Sequence, residues 1–228
     1  MKPFDVSNKD YISNKYYLDF STFKHIIKHL SYQDLPLIFH QWLSEGIPII
    51  FSEYPLLYEQ IRYYLADNLN IHPKEITLIG SARTGFSLST NKFGKPFDIN
   101  SDLDFTIISE YLFNKCMIVF EKWKNDYCSN IVYPLNKNQK YYWDHNIKEL
   151  PGTIKRGFLD TNKIPNLYPD ISQINNRLWV LKKKLELTLR EFTVKKISIR
   201  IYKNWGYFTE QFLLNLSKVQ KYIVYYDN

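Results

Sequence analysis

The stretch "GSARTGFSLSTNKFGKPFDINSDLDFTII", Gly80 to Ile108, decides how this chain is read. It follows "ITLI", Ile76 to Ile79, a short β-rich apolar run that Pro73 separates from the helical pattern before it, so Gly80 and Ser81 mark a strand ending in a turn. At the far end, Asp102 to Ile108 alternates as a second strand. Successive side chains in a strand point to opposite faces, so Asp102 and Asp104 share one side while Leu103, Phe105 and Ile107 point into a core. Between them "STNKFGKPFD" reads as a hairpin or flexible loop over a site.

Two carboxylates on one patch repel, and a divalent cation between them keeps both ionised. Oxygen ligands of this kind suit Mg²⁺ or Mn²⁺. A strand that turns at Gly-Ser offers backbone N–H groups and a hydroxyl to an anion, with Gly80 permitting close approach, Ser81 supplying Oγ and Arg83 a bidentate contact or a plain surface arginine. Phosphates bridged by metal beside paired carboxylates are what phosphoryl or nucleotidyl transfer requires.

The order strand, Gly80-Ser81, turn, Asp102-x-Asp104 resembles the polymerase-β-like nucleotidyltransferase superfamily over about residues 76 to 108. The twenty residues between Ser81 and Asp102 exceed that family's usual spacing, so "STNKFGKPFD" looks inserted. The resemblance implies that Gly80 and Ser81 hold a triphosphate, that Asp102 and Asp104 hold Mg²⁺ or Mn²⁺, and that a third carboxylate on a neighbouring strand completes the metal site. Asp160 is the candidate for that acid, because it closes "TIKRGFLD", the stretch between Lys137 and Asn175 that could readily add a strand, with Gly157 allowing close approach. Equally, Asp160 opens the "DTNKIP" turn and bonds its own backbone. The implied activity moves a nucleoside monophosphate from an NTP or dNTP to a hydroxyl of a nucleotide, oligonucleotide or RNA end. The helical decoration resembles stand-alone bacterial members of antiphage and toxin–antitoxin systems, which leaves room for a protein partner encoded nearby. Protein AMP-transfer, a non-catalytic nucleotide-binding antitoxin or regulatory subunit, and a nucleic-acid module whose acidic pair is incidental stay open beside it.

The rest of the chain frames this site. Helical spacing runs from Phe23 through "LPLIFHQWL" to Gly46, and again from Pro55 to Asn68. Glu110 to Lys124 reads as helix and "NIVYPLNKNQKYYWDHNIKELPG" as irregular with at most one more turn. Leu178, Leu181, Leu185, Leu189 and Phe192 form a helical stripe, "KISIRIY" a strand over Lys196 to Tyr202, and Phe208 to Ile223 a last amphipathic helix. Residues 1 to 18 read as an arm. The fold class is therefore α/β in the α+β sense, a small mixed or antiparallel sheet flanked by helices with helical additions at both ends. Its expected organisation is residues 1–70 packed on a core of residues 71–228 as one compact unit.

Composition sets the class. A net charge of +7 and nineteen tyrosines suit a polyanionic partner, although Lys, Asn, Ile, Tyr and Phe are also what AT-rich codons encode. Cys116 and Cys128 form no C-x-x-C pair, no leader-like apolar segment opens the chain, and runs such as "IPIIF" fall far short of the ~20 residues of a membrane span, so a cytoplasmic protein that does not enter a membrane is expected. His25 and His29 share a helix face without a completing ligand. The lysines of "KKK", Lys182 to Lys184, read as a solvated face, as do Lys92 and Lys95 as loop lysines. "RIYKNW" reads as either a stacking platform or a core anchor.

Overall fold

The computed structural model describes residues 17–189 and 193–226. It is a mixed α+β protein whose four-stranded sheet has helices on both faces, as the strand and helix patterns require. Strands β1 (Ile76–Ile79), β2 (Leu103–Ile108), β3 (Phe158–Asp160) and β4 (Ile197–Tyr202) lie in the order β1-β2-β4-β3. β1 runs antiparallel to β2, with Ile79 opposite Asp104. β2 runs parallel to β4, with Asp104 opposite Ser198. β3 runs antiparallel to β4, with Asp160 opposite Arg200. The parallel β2–β4 pair needs a long crossover, and the chain supplies two helices, β3 and a third helix before it returns.

The helices are α1 (Phe20–His29), α2 (Leu35–Ile38, continued as a π-helical turn through Ser44), α3 (Pro55–Leu69), the four-residue α4 (Ser81–Thr84), α5 (Glu110–Cys128), α6 (Lys137–Lys155), α7 (Pro169–Thr188) and α8 (Trp205–Tyr226). Alternation along the strands gives the sheet two different faces. Leu78, Leu103, Phe105, Ile107, Ile199 and Ile201 pack with α3, α5 and α7 in one core that includes the fully buried Phe120 and Trp123. On the other face, Ile108, Phe158 and Tyr202 pack with Phe23, Phe39 and Phe208 of α1, α2 and α8. This second core covers one end of the face and leaves Asp104 and Ser198 partly exposed at the other.

Three expectations change. The first helical run breaks after His29, because Leu30 turns extended (ψ 137°) and Pro36, which has no N–H, suits only the first turn of a new helix. The stretch read as irregular holds the 19-residue α6, started by Asn136 accepting from the Gln139 N–H at 2.9 Å and buried through Trp143, Ile147, Leu150 and Ile154. "TIK" belongs to that helix, so β3 has only three residues. The arm of residues 1 to 18 lies outside the described residues apart from Tyr17 and Leu18, and so does Phe192.

Candidate active site

β1 ends where Gly80 adopts φ 74° and ψ −159°, a region essentially closed to residues with a Cβ. The chain then winds into α4 and leaves it at Gly85, also left-handed at φ 85°. The N–H groups of Arg83 and Thr84 close on the Gly80 carbonyl at 3.0 and 3.3 Å, which fixes the turn. A Cβ on Gly80 would stand 3.7 Å from Asp104 Oδ2, so the glycine lies directly beside the acidic pair.

Gly80, Ser81, Asp102 and Asp104 line one cavity of about 540 Å³, a size that suits a nucleotide. Arg83 reaches its wall as well, so the structure brings together five of the six candidate site residues read from the sequence. Asp104 Oδ1 accepts from the Ser198 hydroxyl at 2.6 Å across the β2–β4 pair. Asp102 Oδ1 is buried, and it is the one carboxylate oxygen among the described residues in that state without a hydrogen-bond partner. An anionic oxygen shielded from water and given no donor is costly unless a cation takes that place.

Lys92, Lys95 and Lys218 also line the cavity with exposed side chains, so Lys92 and Lys95 belong to its wall and are more than solvated loop residues. Lys95 shares its charge with Asp98 at 3.0 Å, and the bond from Lys95 holds the Asp98 carboxyl below its ordinary range. The inserted loop is no free flap. A bridge between Phe86 and Pro96 closes it, and the Phe93 ring sits edge-on to Phe20 at 5.0 Å and to Tyr222 at 5.4 Å. Gly94 lies so close beneath Phe20 that a Cβ there would come within 2.6 Å of the ring.

Arg83 lines the cavity but turns its charged end inward, and Asp160 is placed elsewhere. Arg83 is buried, and its guanidinium donates to the Leu78 carbonyl, to the Glu45 carbonyl at 2.6 Å, to the Gly46 carbonyl and to Thr77 Oγ1 at 3.0 Å. It braces the turn, because the carbonyls that end α2 have no helical partner and the fork supplies donors to them. Asp160 lies on β3, beyond β4, and so about 10 Å from β2 by strand spacing. Both of its oxygens are held by Arg200, at 2.7 and 3.1 Å. Burial works against the Arg200 charge, but the hydrogen bonds and charge of Asp160 outweigh it and raise the guanidinium above its ordinary value. Asp160 lines a separate pocket of about 370 Å³ that shares only Asn215 and Lys218 with the cavity. The close approach at Gly157 is to the Tyr207 ring, not to the acidic pair.

The strand beside Asp104 carries a serine, Ser198, opposite it, and among the described residues no group of three His, Cys, Asp or Glu side chains is placed to hold a metal ion. Sequence reasoning missed Ser198 and Lys218. Alternation in "KISIRIY" put Ser198 and Arg200 on one face, but only the β2–β4 register sets Ser198 opposite Asp104. No family model, curated protein or solved structure matches the chain. Among the described residues no helix is long and apolar enough to cross a membrane.

Proposed function

We propose that the chain is a metal-dependent nucleotidyltransferase that moves a nucleoside monophosphate from an NTP or dNTP to an acceptor hydroxyl and releases pyrophosphate. The observation that carries this reading is the partnerless, buried Asp102 Oδ1 beside Asp104, in a cavity that also holds the Gly80-Ser81 turn. Two carboxylates fit Mg²⁺ or Mn²⁺, because such a hard cation is commonly held by one or two protein acids with substrate phosphates completing its shell. Held by Asp102 and Asp104, such a cation would supply Lewis-acid polarisation of the phosphates and of the acceptor hydroxyl.

The chain's own residues supply the rest. Ser198 fixes the rotation of the Asp104 carboxylate and leaves Oδ2 on the Gly80 side. Ser81 offers a hydroxyl to the triphosphate, and Lys92, Lys95 and Lys218 offset its charge from the rim. Transfer then needs the acceptor oxygen in line with the α-phosphorus, forming that bond as the one to pyrophosphate breaks.

Ser198, not a third acid, opposite Asp104 favours a second reading, a nucleotide-binding regulatory protein without turnover. Incubating the purified chain with each labelled NTP and dNTP and Mg²⁺ or Mn²⁺ separates the two. Pyrophosphate release that disappears in Asp102→Ala/Asp104→Ala supports the transferase. Saturable, metal-dependent binding without release supports the regulatory protein, and neither outcome would remove the site.

A further inference from the structure

A second and larger opening, of about 980 Å³, lies between α6, α7, residues 162–166 and the start of β4. Its formally charged lining residues are Lys163, Lys182, Lys195 and Lys196, and no Asp or Glu among the described residues lines it. Asparagines and one glutamine make up much of the remainder. Trp179 and Tyr142 stand at this groove 64% and 54% exposed, although large rings are normally drawn into a core. Lysines, amides and unburied rings together are what a strand with splayed bases requires: cations for phosphates, donors and acceptors for base edges, and flat faces for stacking.

The groove also adjoins the candidate active site. Lys195 N–H donates to the Ser101 carbonyl at 3.1 Å, and Leu103 N–H donates to the Lys196 carbonyl at 2.8 Å. Ser101 and Asp102 line the catalytic cavity while Lys195 and Lys196 line the groove, so one pair of backbone segments is the rim of both. The four lysines are not equally available. Lys163 is paired with Glu149 at 3.0 Å, and Lys182 donates to the Lys195 carbonyl at 2.8 Å with Glu186 at 3.9 Å. Lys195 and Lys196 are exposed at the edge nearest the aspartates.

We propose that this groove binds a single-stranded polynucleotide and delivers its terminal hydroxyl to Asp102 and Asp104, which makes that strand the acceptor; the delivery step rests on the nucleotidyltransferase reading, whereas strand binding stands without it. Unstacked bases lie on Trp179 and Tyr142, and backbone phosphates pass Lys195 and Lys196 toward the cavity. A duplex keeps its bases stacked and cannot use the two rings.

Fluorescence anisotropy of a labelled 12-nucleotide oligo(U) or oligo(dT), with the full chain in EDTA, tests the binding directly. Affinity should fall with salt, by about 0.7 in log Kd per log salt for each phosphate neutralised. Lys195→Glu/Lys196→Glu should weaken binding at least about tenfold, and Trp179→Ala by about tenfold where Trp179→Phe stays near the parent. In EDTA the two aspartates repel a polyanion, so Asp102→Ala/Asp104→Ala should bind the strand at least as tightly as the parent; failure of pyrophosphate release would therefore overturn the transferase reading and leave this measurement standing. Equal affinity in the parent and in the groove variants would overturn the proposal. So would a duplex of the same length binding as tightly as the single strand, or polyglutamate, standing for an acidic protein partner, binding in place of the oligonucleotide.

Discussion

Asp104 and Asp160 point from the same face of one sheet, two strands apart, and the fold surrounds them differently. Asp160 has an arginine fork on both oxygens, at 2.7 and 3.1 Å, and is complete within the protein. Asp104 has one short bond from Ser198, and its neighbour Asp102 keeps a buried oxygen with no donor. The cations differ in the same way, since Arg83 is enclosed by backbone carbonyls while Lys92 and Lys218 stand exposed at the cavity. A carboxylate already matched by a fixed cation has little left to offer a ligand, and one shielded from water without a partner gains most from binding one. Partnership inside the protein, more than residue type, separates structure from site here.

The largest effect should come from the aspartate pair that holds the donorless oxygen. Asp102→Asn with Asp104→Asn is expected to lower nucleotide transfer by at least about 10³-fold, beyond the tenfold to hundredfold that follows loss of a group one shell from a metal. Thermal stabilisation by NTP and Mg²⁺ should vanish with it, while the metal-free melting point stays level or rises as repulsion is relieved. A metal-free protein that melts earlier would mean the pair is structural after all. Arg83→Met should act in the opposite way. It leaves the acceptors at Leu78, Glu45, Gly46 and Thr77 without this donor inside the protein, so stability measured by urea unfolding should drop by about 3 kcal/mol. NTP affinity at a temperature where the variant is folded should not change, and a weaker affinity there would return Arg83 to the phosphates.

How far the sequence showed this contrast follows from the range of each interaction. The end of β1, the glycine-serine turn and Asp102-x-Asp104 are local patterns; the first two and Asp104 appear where alternation and turn chemistry put them, while β2 starts at Leu103 and leaves Asp102 just ahead of the strand. The sheet class was legible for the same reason. α6 was not, because Asn, Asp, Tyr, His and an internal Pro151 dilute its helical signal, and its stripe of Trp143, Ile147, Leu150 and Ile154 becomes evident only against the core it packs on. The fates of Arg83 and Asp160 were hidden more deeply. Arg83 meets carbonyls 37 and 38 residues earlier, and Asp160 meets an arginine 40 residues later, pairings that strand order decides.

Ser198 is the test within the site itself. Ser198→Ala removes the donor to Asp104 Oδ1 and frees that carboxylate to rotate, so Mg²⁺ affinity should weaken about tenfold with little change in stability. Ser198→Thr keeps the hydroxyl and should restore most of it. An equal loss in Thr and Ala would show that packing at this position, and not the hydrogen bond, is what matters.

The smallest effect is expected where the pairing is already complete. Asp160→Asn keeps the shape of the side chain and one acceptor for Arg200, but removes the charge that the guanidinium faces. The Arg200 side chain is 36% exposed, so water takes over much of the lost interaction, and its position over the Phe158 ring at 4.9 Å is retained. Stability should fall by about 1 kcal/mol, read as a lower urea midpoint at unchanged slope. Nucleotide transfer and Mg²⁺ affinity should stay within about twofold of the parent, because β4 stands between this edge and the aspartates and Ser198 already occupies the place beside Asp104. A loss of transfer beyond about tenfold in a folded Asp160→Asn protein would show that β3 moves toward β2 when substrate binds, and would make Asp160 part of the same site as Asp104.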